Sequence, residues 1–145
     1  MPKAKSKAVK QDFNPDILVF CCNWCSYAGA DLAGVSRFQY PPNMRIVRVM
    51  CSGRVDPSFV LKALKDGADG VLITGCHIGD CHYITGNEYA KDRFEKLHRI
   101  IIKQLGINEK RVRLEWVSAS EGRRFADLIT EFTNEIKGLG PLKVF

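Results

Sequence analysis

The 145 residues are 46% hydrophobic and 26% charged with a formal net charge of +6, an ordinary globular balance for one compact domain with a buried core. No apolar run reaches the roughly 20 residues of a bilayer crossing, and the opening Met1-Pro2-Lys3-Ala4-Lys5-Ser6-Lys7 leads into no apolar segment of a secretory leader, so the expected location is cytoplasmic. Lys3, Lys5, Lys7 and Lys10 account for most of the charge and leave about +2 on the body. The body has no basic stripe with interleaved aromatics, which speaks against a nucleic-acid partner.

Residues 1–15 read as a flexible basic tail, 16–140 as one domain and 141–145 as a short C-terminal tail. Asn14-Pro15-Asp16 signals a turn and launches a first strand over Ile17 to Cys21. A helix within 26–38 follows. Its small residues Ala28, Gly29, Ala30, Ala33 and Gly34 allow close backbone approach to a sheet or cofactor, at a cost in helix stability from each glycine. Tyr40-Pro41-Pro42-Asn43 breaks it, and Ile46-Val47-Arg48-Val49-Met50 reads as the second strand.

Asp56-Pro57 supplies an N-cap and a first-turn proline for a helix that carries Phe59, Val60, Ala63 and Leu64 on one face and ends near Gly67. A third strand runs from Gly70 to Thr74. The next helix is predicted over Glu88 to Leu105, capped by Thr85 or Asn87 and terminated by Gly106. Val112-Arg113-Leu114-Glu115-Trp116-Val117 alternates as a half-exposed strand does. Ser118-Ala119-Ser120-Glu121 fits a capping box, and the last helix carries Phe125, Leu128, Ile129, Phe132 and Ile136 on one face and stops at Gly138.

Strands alternating with helices predict an α/β fold: a single-domain, four-stranded parallel sheet with helices on both faces and right-handed crossovers. The first and third strands are almost wholly apolar, as interior strands are, whereas the second and fourth carry charges. The simplest arrangement is the flavodoxin-like order 2-1-3-4. No G-x-G-x-x-G or Walker loop is present, which speaks against nucleotide binding.

The cysteines follow the strands. Ile17-Leu18-Val19-Phe20 runs into Cys21, Cys22 and Cys25, the second strand into Cys51, and Val71-Leu72-Ile73-Thr74-Gly75 into Cys76 and Cys81. In the order 2-1-3-4 these three strands are neighbours. Their thiols then converge at the carboxyl edge of the sheet, where open α/β folds bind ligands. Cys21 alternates with Cys22, so it should face the opposite way and be a core residue. Cys22-Asn23-Trp24-Cys25 sits at a strand-to-helix turn, where backbone N–H groups and the helix dipole favour thiolate.

Thiols grouped this way in a reducing compartment are more often metal or redox ligands than disulfides. An iron–sulfur cluster needs four thiolates. Structural zinc also takes four Cys or Cys/His ligands, and His77 and His82 are close in sequence. A thiol–disulfide oxidoreductase would use Cys22 and Cys25 and leave Cys51, Cys76 and Cys81 without a role. A set of buried small apolar residues is the least economical reading. Iron–sulfur is the best match; zinc and thiol exchange remain open. Trp24 and Tyr27 are placed to shield the site or to pack, and His77 to hydrogen-bond a sulfur or a loop carbonyl.

Cys22-Asn23-Trp24-Cys25-Ser26-Tyr27-Ala28-Gly29-Ala30-Asp31, Arg48-Val49-Met50-Cys51-Ser52-Gly53-Arg54-Val55-Asp56, Gly75-Cys76-His77-Ile78-Gly79-Asp80-Cys81-His82-Tyr83 and Trp116-Val117-Ser118-Ala119-Ser120-Glu121-Gly122 resemble the delta subunit of methyl-viologen-reducing (F420-non-reducing) hydrogenase, and the likeness spans Ile17 to Pro141. The resemblance implies a small 2Fe–2S protein without a catalytic centre of its own. Such a protein would pass electrons between a hydrogenase small subunit, or formate dehydrogenase, and the flavin subunit of heterodisulfide reductase in methanogenesis. Carried onto this chain, the family's cysteines are Cys22, Cys25, Cys51, Cys76 and Cys81. The expected ligands are Cys22, Cys25, Cys76 and Cys81, two close pairs that can each grip one iron, with Cys51 spare.

Overall fold

A computed structural model describes residues 13–78, 85–100 and 104–142. The lysine tail, Cys81, His82, Tyr83, the predicted helical residues 101–103 and the last three residues lie outside that range. Strand β1 (Ile17–Cys22) is followed by helix α1 (Ser26–Val35), β2 (Met44–Val49), α2 (Pro57–Lys65), β3 (Gly70–Gly75), α3 (Gly86–Ile100), β4 (Val112–Trp116) and α4 (Gly122–Leu139). Single 3-10 turns lie at Ser52–Arg54 and Glu109–Arg111. The four strands form one parallel sheet in the predicted order β2-β1-β3-β4.

Side-chain alternation along β1 divides the interior into two layers. Ile17, Val19 and Cys21 face α1 and α4, where they meet Ala30, Ala33, Phe125, Ile129, Phe132 and Ile136. Phe20 faces the other way and packs with Val60 and Leu64 of α2 and Leu97 of α3. Strand β3 is buried along its whole length because helices cover both its faces. The outer strands are less buried. On β4, Arg113 pairs with Glu115, Glu131 and Glu135, which places charge along an unpaired edge.

Helix α2 starts as predicted, with Asp56 accepting from Ser58 N at 2.9 Å and Pro57 in the first turn. Other termini differ from the sequence reading. Strand β2 begins at Met44 because Met44 is in register with Ile17 of β1. Helix α3 begins at Gly86, with the Thr85 carbonyl accepting from Glu88 N and Tyr89 N; Asn87 is not its cap. Only half of the capping box forms: Glu121 accepts from Ser118 N at 2.9 Å, while Ser118 Oγ bonds Ser120 Oγ. Helix α4 runs past Gly138 to Leu139, because Gly140 is the glycine that adopts a positive φ of 78° and donates to Ile136 O. The buried Arg111 then donates to the carbonyls of Leu139 and Gly140 at the helix end and to Asp69 O.

Leu142 N donates to Asp69 Oδ1 at 3.2 Å and its side chain joins the second core. Asp69 Oδ2 accepts from Asp16 N at 2.9 Å. Both ends of the domain are therefore held at the amino edge of the sheet, opposite the cysteines.

The small residues of α1 serve close helix–loop packing. A Cβ on Gly29 would lie 2.7 Å from Ser118 O and 3.0 Å from Val117 Cγ1, whereas one on Gly34 would meet nothing within 4 Å. Gly29→Ala should therefore destabilise the domain by about 1–3 kcal/mol through overpacking. Gly34→Ala should stabilise it by up to about 1 kcal/mol through helix propensity. Urea unfolding of the two variants checks the opposite signs.

Candidate metal centre

The connection after β1 leads outward to β2, and the one after β3 leads the other way to β4. The carboxyl ends of β1 and β3 thus flank the topological switch point, where α/β sheets open a crevice. Cys22 ends β1, Cys76 follows β3, and Cys51 caps the 3-10 turn after β2. Their side chains pack on one another at 1%, 3% and 8% exposure, and Cys25, at the head of α1, packs against them with partial exposure. The convergence expected from the sequence is present for these four of the five candidates, and Cys81 lies outside the described residues. Cys51, expected at this edge as the spare thiol, packs with Cys22 and Cys76.

Cys22 Sγ and Cys76 Sγ are 3.5 Å apart. Ser26 N donates to Cys22 Sγ at 3.3 Å, and Gly53 N donates to Cys51 Sγ at 3.4 Å. The hydrogen bond from Cys76 and the N–H groups of Ser26 and Cys25 pull the Cys22 thiol well below its usual range, against the opposing effect of burial. Cys76, as donor to Cys22 and itself buried, is pushed up. Cys21 projects from the other face into the apolar core, where burial pushes its thiol up to about 12. Adjacent residues on one strand thus have opposite chemistry, as alternation predicts.

Among the described residues, no group of three or more His, Cys, Asp or Glu side chains is arranged to hold a metal ion. Trp24 is 41% exposed. Tyr27 packs against the core of the opposite layer under the Arg48 guanidinium, 4.8 Å from its ring centre, so of the two roles open to it the structure supports packing. Among the described residues, His77 bonds through Nε2 to Glu121 Oε1.

Three contributors were not singled out by residue type. Ser26 supplies the N–H on Cys22, and its hydroxyl donates to Val117 O at 3.4 Å. Asn87 is fully buried and donates to the carbonyls of Cys76 and His77 at 3.0 and 2.8 Å. Glu121 joins the Cys76 loop to the head of α4. Asn87 and Glu121 had cap-like sequence signals, and only the fold turns them toward the cysteine loops.

The His77 contact and the Ser118 N–H hold the Glu121 carboxyl near 2, below its ordinary 4.5. This lowered value contributes stability that is complete above pH 4.5 and lost as pH falls toward 2. The Glu121 side chain is 34% exposed, so Glu121→Gln should cost less than about 1 kcal/mol at neutral pH. It should also flatten the loss of stability between those two values, as urea unfolding in pH steps would record.

A family model described as methyl-viologen-reducing hydrogenase, delta subunit, matches residues 17–140. The chain is 52% identical to an F420-non-reducing hydrogenase iron-sulfur subunit of Archaeoglobus profundus over 135 residues, 93% of this chain and 98% of the relative. It is 54% identical to the F420-non-reducing hydrogenase vhc iron-sulfur subunit of Methanococcus voltae over 131 residues, 90% of each chain. It also matches part of a much longer protein, a subunit of the ferredoxin:CoB-CoM heterodisulfide reductase of Methanosarcina mazei. That match is 55% identical over 128 residues, 88% of this chain and 16% of the relative. With a family match that spans the whole sheet and both cysteine-bearing edges of the switch point, the chain belongs to the methyl-viologen-reducing hydrogenase delta-subunit family.

Proposed function

We propose that this chain is an iron–sulfur electron-transfer subunit that relays electrons between a hydrogenase, or formate dehydrogenase, and the flavin subunit of heterodisulfide reductase in methanogenesis. The observation that carries the proposal is the gathering of Cys22, Cys25, Cys51 and Cys76 from three strand ends into one buried group. The names of the relatives support both ends of the relay: several are hydrogenase iron-sulfur subunits, and others belong to heterodisulfide reductases.

The donor set fits an iron–sulfur centre. It offers soft thiol ligands in a water-poor site, with backbone N–H groups directed at two of the sulfurs. Four ligands would be drawn from Cys22, Cys25, Cys51, Cys76 and Cys81, and the packing of Cys51 against Cys22 and Cys76 supports its membership. A 2Fe–2S cluster held there would supply reversible one-electron storage. The chain's own part is to keep Cys22 inclined toward thiolate, to direct N–H groups of Ser26 and Gly53 at sulfur, and to exclude water. A thiol–disulfide exchanger needs an accessible attacking thiolate, and Cys22 is only 1% exposed.

Anaerobically purified protein should contain about two irons and two labile sulfides per chain. It should show a reduced-state paramagnetic signal and fail to reduce a disulfide substrate alone. Serine at Cys22, Cys25 or Cys76 should remove or strongly perturb the signal, and Cys21→Ser should leave it unchanged. The outcome of Cys51→Ser decides whether that thiol is a ligand. Stoichiometric zinc without sulfide would replace this reading with a structural zinc module.

A further inference from the structure

Sheet register locates Cys22, which lies within β1, but Cys51 and Cys76 both lie beyond the ends of their strands. Some other contact must hold those two loops in place. The first turns of α3 touch both. On one side, Gly86 stands so close to Gly53 that a Cβ on Gly53 would come 2.6 Å from Gly86 O, and Arg93 Nη1 donates to Gly53 O. Gly53 is the residue whose N–H bonds Cys51 Sγ. On the other side, Asn87 Nδ2 donates to the consecutive carbonyls of Cys76 and His77. Two successive peptide planes are thereby fixed where Cys76 leaves the sheet.

Packing alone does not account for an asparagine here. Asn87 is 0% exposed, and its Oδ1 is buried without a hydrogen-bond partner among the described residues. An apolar side chain of similar shape would avoid that loss. Among the described residues, the amide offsets its cost through the two bonds its nitrogen makes, and both end on the Cys76 loop. We infer that Asn87 is the positioning residue for Cys76: it joins the Cys76 loop to the helix that also holds the Cys51 loop, and so sets the spacing of the thiols. This rests on the metal-centre reading for its purpose, though not for its geometry. In a loaded centre the two N–H dipoles would also favour the more negative, reduced form.

The test uses the full chain with Asn87→Asp, which keeps the shape and removes both donors, and Asn87→Ser, a milder change. In cluster-free protein, iodoacetamide labelling followed by mass spectrometry should show Cys76 reacting about tenfold faster or more in Asn87→Asp. Cys21, buried in the opposite layer, should stay protected and so reports an intact fold. Asn87→Ser should fall between this variant and the parent. In loaded protein, the midpoint potential should fall and the iron–sulfur stretching bands should shift. Cys76 labelled at the parent rate while Cys21 stays protected overturns the inference. If Asn87→Asp unfolds and exposes Cys21, the labelling of Asn87→Ser decides by the same criterion. Absence of iron and sulfide from the parent protein would sink the proposed function alone, because the labelling result stands without a cluster.

Discussion

The parallel pairing of β1 with β3 is the constraint on which the cysteine edge depends. Cys21 is opposite Thr74 in the ladder, and Thr74 Oγ1 donates across it to Phe20 O at 2.9 Å in a fully buried position. Because the strands are adjacent and parallel, both deliver their next residues to the same edge. The connections then lead to opposite sides of the sheet, the arrangement that opens a crevice between two strand ends. Cys22 and Cys76 meet there across 54 residues of sequence. No local turn could bring them together.

The two edges of the sheet divide the polar work. At the amino edge, the buried Asp69 ties Asp16 to Leu142, while Arg111 holds the last carbonyls of α4 and the carbonyl of Asp69. Each is a polar side chain whose burial is offset by bonds to otherwise orphaned backbone groups. At the carboxyl edge the donors serve sulfur and the loops that bear it: Ser26 and Gly53 on thiols, Asn87 on the Cys76 carbonyl. The ends of the domain are kept away from the thiols.

Burial alone would make every thiol on β1 inert, as it does Cys21. Cys22 differs first because Cys76 hydrogen-bonds to its sulfur, and then because the strand ends there and the chain turns into α1, which aims N–H groups back at it. The tight approach of Gly29 to Ser118 and the Ser26 bond to Val117 O hold that turn against the end of β4. Electrostatic tuning of the centre is therefore coupled to helix packing some residues away.

Much of this was legible in the order of residues. Continuous apolar runs marked β1 and β3 as interior, charges marked β2 and β4 as edges, and the βα alternation with its right-handed crossovers left 2-1-3-4 as the simplest order. The same order predicted that the thiols after three strands would converge and that Cys21 would not join them. Local signals failed where two candidates competed within a few residues. The last helix reads as stopping at Gly138, and only the positive φ at Gly140, backed by Arg111, shows that it runs on to Leu139. Asn87 and Glu121 carry the signature of helix caps because caps and loop clamps use the same side-chain chemistry. Which carbonyl or N–H such a side chain reaches depends on what the fold places beside it. Tertiary structure alone decided that Asn87 reaches the Cys76 loop and that Tyr27 belongs to the opposite layer. Those contacts are set by sheet register and helix packing between residues far apart in the chain, which periodicity along the chain does not encode.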